Sequence, residues 1–320
     1  MLESPPFPWQ QSPFEVVQRW QQVPQALLLS GMAGLGKRQF AEQMAKDLLC
    51  VESASKKTSC QKIDSACHSC SVLAAGNHPD SYLLEPEGLT IKIDALRAIL
   101  EKLPQAPQLG HNQVVLIDSA EKMNMATANA LLKNLEEPNP STFFLLISSQ
   151  MMLLPATVRS RCHVLRFAPQ RDEATLQWLA EKIPDGQIDL YLNLAGGAPL
   201  AALAIAQDKD KKLQTLQADL FEFNLNTDPL ALAQKWNKQA LSITLPFLIL
   251  MLTRAIKQQF EPTLQTPQPK LNLRSAYQLY DELQILMREQ QRTTLNAQLM
   301  LEHIFQQWKE CYACRTHRTR

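Results

Sequence analysis

Gly31-Met32-Ala33-Gly34-Leu35-Gly36-Lys37-Arg38 is the stretch whose reading decides the fold. Before it runs Ala26-Leu27-Leu28-Leu29, apolar at every position, as a strand buried on both faces requires. After it, residues 39–49 carry a helical pattern. A strand, a glycine-rich turn and a helix N-terminus make a phosphate cradle. The spacing of Gly31, Gly36 and Lys37, with Gly34 inside the turn, is that of a P-loop. In such a loop the backbone N–H groups of residues 34–37 face the phosphates and Lys37 reaches the β and γ groups. A working P-loop continues with Ser or Thr, whose hydroxyl ligates Mg²⁺. Here Arg38 follows. A guanidinium has no acceptor lone pair and its charge repels the cation, so productive Mg-ATP is not expected.

Outward from the loop, the apolar runs recur. Val114-Val115-Leu116-Ile117 and Phe143-Phe144-Leu145-Leu146-Ile147 predict further buried strands, and Tyr82-Leu83-Leu84 and Val164-Leu165-Arg166-Phe167 shorter ones. Helical patterns over 93–103 and 126–137 lie between them, stopped by Pro104 and Pro138. This alternation predicts a three-layer α/β P-loop domain over residues 1–168. Beyond Pro169 the strand signal fades. Helical patterns over 171–182, 188–195 and 200–207 predict a small helical unit at 169–208. Patterns over 209–224, 229–241, 245–260, 273–292 and 296–310 predict an all-α region at 209–320. A chain of 320 residues accommodates two or three domains.

A second ATPase element belongs at the end of strand 114–117. Active enzymes of this class carry an acidic pair there, one acid for Mg²⁺ and one to activate water. The chain reads Asp118-Ser119-Ala120-Glu121. Asp118 stands at the first place, as a metal acid or simply a solvated strand-end acid. Ser119 leaves the second place vacant, and Glu121, two residues on, is expected to face elsewhere. A third element is Ser160-Arg161-Cys162, just after strand 143–147. An arginine there is either a solvated turn residue or one presented to a neighbouring subunit. Supplied in trans, it is worth about 10³–10⁵ in rate, roughly 4–7 kcal/mol of barrier.

Four of the seven cysteines lie in a polar stretch: Cys50, Cys60, Cys67 and Cys70. The Cys67-x-x-Cys70 pair has the bite for tetrahedral Zn²⁺, and a closed Cys₄ shell makes a structural site. Unrelated thiols would be expected to be buried, yet a polar stretch would not bury them, which favours one zinc. His68 and His78 are weaker substitute ligands. Cys311, Cys314 and His317 give a weaker metal hint near the last residues. Net charge is +1, which does not advertise wholesale polyanion binding. The first residues lack the basic-then-apolar pattern of a secretory signal, and the run 245–252 is too short for a bilayer. No membrane association and a cytoplasmic location are expected.

Taken in order, GMAGLGKR, the four-cysteine insert leading to GNHPD, ANALLKNLEEP and SRC resemble the delta-prime subunit family of the bacterial DNA polymerase III clamp loader. The motifs cover residues 8–200; the spacing from Cys60 to Cys67 is longer than that family's pattern. The resemblance implies an AAA+ module with a zinc insert at about 50–80, a helical lid and a C-terminal collar joining subunits in a hetero-pentameric ring. It implies partners: gamma/tau motor subunits, a delta subunit, the sliding clamp, and primed DNA touched at its phosphates. It implies no ATP hydrolysis by this subunit, which instead lends Arg161 to a neighbour's ATP site. The helix after Gly196-Gly197-Ala198-Pro199 would carry a sensor Arg in motor subunits; here it reads Leu200-Ala201-Ala202-Leu203-Ala204. Leu131, Leu132 and Leu135 share a helical face suited to core packing, with Lys133 and Glu136 left for an interface. Arg97 is a candidate phosphate contact or a solvated charge. The alternatives are an active AAA+ motor subunit of a clamp loader, and a zinc-bearing nucleic-acid module with a decayed P-loop.

Overall fold

The computed structural model describes residues 4–52, 67–184, 186–207, 215–216, 218–220, 228–236, 241–260, 271–289 and 296–312. Contacts divide the chain into two compact units, Met1–Ala204 and Ile205–Arg320.

The first unit is built on a parallel five-stranded sheet. Its strands are β1 (Ala26–Ser30), β2 (Ser81–Leu84), β3 (Gln113–Ile117), β4 (Thr142–Ser148) and β5 (His163–Arg166), in the order β2-β3-β4-β1-β5. Ser30 pairs with Ser148 and Ile117 with Leu146, so β1, β3 and β4 end at one edge of the sheet. Alternate side chains leave by opposite faces. Leu28, Val115, Ile117, Phe144 and Leu146 pack into one core, together with helices α4 (Ile93–Leu100) and α5 (Met125–Glu136) through Leu96, Ala128, Leu131 and Leu135. Leu27, Leu29, Val114, Leu116, Leu145 and Ile147 pack into the other, with α1 (Gln11–Gln18) and α2 (Lys37–Leu49) through Val17, Phe40, Ala41 and Met44. The three-layer α/β expectation is therefore met.

Helix ends follow local chemistry. Asn124 caps α5, its Oδ1 accepting the Thr127 N–H at 2.8 Å. Leu131 and Leu135 are core residues, and Leu132 packs partly against the same core. Helix α4 stops at Leu100 rather than 103, and Leu103 is buried from the turn that follows. A short helix, α3 (His68–Ala74), packs on α2, and α6 (Ala156–Arg159) packs on α5. After β5 come α7 (Glu173–Ala180), capped by Asp172, α8 (Ile188–Leu194) and α9 (Pro199–Ala206).

In the second unit the described helices are α10 (Pro229–Trp236), α11 (Leu241–Phe260), α12 (Leu273–Glu289) and α13 (Ala297–Tyr312). Helix α10 packs on α13, α11 on α12, and α12 on α13. Trp236 anchors the first pair, edge-on to Phe305 at 5.0 Å. Pro246 lies inside α11, where the reading had placed it near a helix start. Proline there removes the N–H that would bond the carbonyl of residue 242, an interior position where proline kinks a helix rather than starting one. Cys311 is buried in this unit, while Cys314 and His317 lie outside the described residues. Among the described residues no single helix is long and apolar enough to cross a membrane.

Candidate functional site

The phosphate loop leaves β1 at the sheet edge where β3 and β4 also end. Gly34 and Gly36 hold φ of 79° and 76°, a left-handed backbone that side chains rarely adopt. Space forbids a side chain as well. A Cβ on Gly34 would lie 2.6 Å from Ala201 Cβ, and one on Gly36 would lie 2.7 Å from Gln10 Nε2. The contact with Ala201 comes from α9, whose Leu200 N–H donates to the Gly34 carbonyl at 3.1 Å. The N-terminal segment grips the loop's other side. Trp9 Nε1 and Gln10 Nε2 both donate to the Leu35 carbonyl, at 3.0 and 2.8 Å, and Gln10 also to Gly36. Trp9 stacks on Phe7 and meets Trp178 of α7 edge-on. No motif in the sequence marks Trp9 or Gln10 for this contact.

Gly31 donates its N–H to the Ser148 carbonyl and returns its own carbonyl to Lys37. Lys37 is 4% exposed, with Nζ donating to Gly31 O at 2.6 Å and Met32 O at 2.7 Å. Burial lowers its pKa to about 8, against the pull of Glu121 and Asp118.

Arg38 turns towards the acids at the strand ends. Its Nε donates to Glu42 at 2.9 Å, and Nη1 to Asp118 Oδ2 at 3.2 Å and to Glu85. Its hydrogen bonds to Glu42 and Glu85, stronger together than the cost of burial, raise its pKa and keep it charged. Asp118 is thus ion-paired, which corrects the solvated-acid alternative. Glu85, which the reading missed, carries the same signature as Asp118: an acid just past a parallel strand. Glu121 also needs correcting, because it does not face away. Ser119 adopts φ 51°, the sole positive φ among described non-glycine residues, and the 3-10 turn Ala120–Lys122 follows. That reversal returns Glu121 to the sheet edge, where Oε1 accepts the Ser149 N–H at 3.2 Å.

Arg161 stands apart from this group and pairs with other residues. Its Nε donates to Glu136 Oε1 at 2.6 Å, Nη2 bridges to the same oxygen, and Nη1 donates to the Thr157 carbonyl at 2.9 Å. Arg97 is exposed, 3.9 Å from Asp94.

Cys50, Cys67 and Cys70 bring their sulfurs within 4.8 Å of one another; Cys60 lies outside the described residues. The Cys50 and Cys67 sulfurs are 3.8 Å apart. Zn–S bonds of about 2.3 Å at tetrahedral angles place neighbouring sulfurs about 3.8 Å apart, so the Cys50–Cys67 spacing suits such an ion and Cys70 lies near enough to offer a third thiolate. One premise of the reading is overturned: Cys50 and Cys70 are each only 4% exposed. Cys50 directly follows buried Leu49, and Cys70 sits on the side of α3 that meets α2, so packing hides thiols in a polar sequence. Burial, then the neighbouring Cys67 and Cys50, pushes the Cys70 thiol up, which a bound cation would reverse.

His78 is not placed to be a ligand, since both ring nitrogens are engaged. Nδ1 accepts the Asp80 N–H at 3.1 Å, and Nε2 lies 2.8 Å from Ser69 Oγ, which donates to the Leu49 carbonyl. Ser69 has spent its proton, so His78 is the neutral Nε2–H tautomer, and burial lowers its pKa. Asp80, also buried, accepts the N–H groups of Gln108 and Leu109. The His-Pro-Asp segment therefore ties the cysteine cluster to the sheet.

The family described as "DNA polymerase III, delta subunit" matches residues 11–171. The chain is 38% identical over 251 residues to the DNA polymerase III subunit delta' of Pseudomonas aeruginosa, covering 76% of this chain and 73% of that protein. It is 31% identical over 240 residues to the subunit of the same name from Haemophilus influenzae, covering 74% and 72%. Among solved structures, a DNA polymerase III gamma subunit-related protein from Thermotoga maritima aligns with 95% of this chain and 99% of its own, at TM-score 0.46 and 18% identity. On the family match across half the chain, and on relatives covered over most of their length, the chain belongs to the DNA polymerase III subunit delta' family.

Proposed function

We propose that this chain is a non-hydrolysing AAA+ subunit of the DNA polymerase III clamp loader. Its work is to supply Arg161 to the ATP site of a neighbouring gamma/tau motor subunit while a sliding clamp is loaded on primed DNA. The observation that carries this reading is the Arg38–Asp118 pair. Magnesium would need the hydroxyl that Arg38 replaces and the carboxylate that Arg38 neutralises. With Ser119 at the water-activating place and no Arg in Leu200-Ala201-Ala202-Leu203-Ala204, the chain's own loop serves as scaffold. An active motor subunit is the rival reading, and these same residues oppose it.

On this proposal residues 169–208 act as lid and 209–320 as collar in a hetero-pentameric ring with gamma/tau and delta subunits. DNA is met through phosphates, with Arg97 a candidate contact, and the complex works in the cytoplasm. Cys50, Cys60, Cys67 and Cys70 hold one structural zinc, which would tie the insert to α2 and α3 and take no part in chemistry.

The test is reconstitution with motor subunits. Arg161→Ala should leave ring assembly intact and cut DNA-stimulated ATP hydrolysis by about 10³ or more at the site it completes. An unchanged hydrolysis rate in the assembled mutant complex refutes the finger role. Turnover of about 1 s⁻¹ by the isolated chain, an ordinary enzyme rate, refutes the non-hydrolysing role.

A further inference from the structure

Resting on the finger role proposed above, we infer that Glu136 is a positioning residue, which holds the Arg161 guanidinium so that its end-on edge is presented to the neighbour's phosphate. A guanidinium has five N–H donors in a planar fork. Nε–H and one Nη2–H go to Glu136 Oε1. Nη1 donates to the Thr157 carbonyl at 2.9 Å and, at 3.4 Å, to Ser160 Oγ, a hydroxyl that donates to the same carbonyl. The second Nη2–H has no acceptor among the described residues. With the Nη1 hydrogen that only the long Ser160 contact holds, it forms the end-on edge. That edge is the one a planar fork uses for bidentate contact with two phosphate oxygens.

The clamp itself is rigid. Glu136 ends α5, whose other end is capped by Asn124 and whose Leu131 and Leu135 are buried in the core. Thr157 lies in α6, which packs on α5. Arg161 is thus held by two anchored elements, although its side chain remains one-third exposed. A long arginine left free would sample many rotamers, and each would have to be given up when the neighbour docks. Glu136 removes that cost before assembly. The surface glutamate in ANALLKNLEEP becomes part of the finger, although it touches no substrate.

A double-mutant cycle in the reconstituted complex tests this. Ring assembly and DNA-stimulated ATP hydrolysis at saturating ATP are measured for Glu136→Ala, Glu136→Gln, Arg161→Ala and the Glu136→Ala/Arg161→Ala pair. Misplacing a catalytic group by about 1 Å can cost up to about 10²-fold, so Glu136→Ala should slow hydrolysis about tenfold in normally assembled rings. Glu136→Gln keeps the accepting oxygen and should recover most of that loss. In the Arg161→Ala background, Glu136→Ala should cost nothing more, because it acts through the guanidinium. A wild-type rate for Glu136→Ala overturns the inference while leaving the finger role standing. So does an equal loss with and without Arg161, or a glutamine variant that assembles and is as slow as alanine. A wild-type rate for Arg161→Ala overturns both.

Discussion

Lys37 and Arg38 are neighbours in sequence and meet opposite environments. Arg38 reaches three carboxylates at the sheet edge, whereas Lys37 is sealed beneath the loop against two carbonyls. Burial lowers the Lys37 pKa from 10.5 to about 8. Between those values the unfolded chain keeps the proton that the folded chain has released, so stability rises with pH across that window. Below about pH 8 the cost of burying the charge is fully present, at most about 3 kcal/mol. Lys37→Met should therefore lack the rise that the wild-type chain shows between about pH 8 and 10.5. Urea midpoints across that range check it, and parallel curves for both chains would contradict the assignment. At the same scale, the pairing of Arg161 with Glu136 sets the direction of one partly exposed side chain.

At the scale of elements, the phosphate loop is held by α9 on one side and the N-terminal segment on the other. Gly34 and Gly88 both have positive φ, 79° and 71°, but only Gly34 has a helix against it. Alanine at Gly88 should cost about 1–2 kcal/mol, the ordinary penalty of a left-handed side chain. Gly34→Ala adds a contact at 2.6 Å with Ala201 Cβ and 2.8 Å with its backbone N, and should cost clearly more. Denaturation of the two variants side by side measures the difference. Equal losses would mean that α9 does not press on the loop in solution.

At the scale of the whole molecule, the cysteine cluster forms a small hydrophobic island separate from the two sheet cores. The His78–Ser69–Leu49 chain of hydrogen bonds ties it to the α/β body. If zinc fills the cluster, freshly purified reduced protein contains one ion per chain, and chelation acts locally. Hydrogen exchange should then rise first in α3 and around His78, while β1, β3 and β4 stay protected, because neither sheet core includes a cysteine ligand. Metal analysis finding no zinc would overturn the assignment. Uniform loss of protection would show that the insert supports the sheet rather than decorating it.

The strands at 26–29, 114–117 and 143–147 were legible in the sequence because a parallel strand buried on both faces must be apolar at every position. The phosphate loop was legible because its geometry demands glycine and lysine at fixed spacing, and its missing hydroxyl was legible at one position, Arg38. What the sequence by itself determined is therefore the α/β body, the loop and the lost metal ligand. Only the tertiary structure decided what fills the loss. Asp118 and Glu85 reach Arg38 from 80 and 47 residues away, and Glu136 reaches Arg161 from 25. Trp9 and Gln10 meet Leu35 the same way, and Cys50 and Cys70 are buried where α2 meets α3. Such pairings are set by strand order and helix packing. Local spacing carries no record of which strand ends will lie side by side.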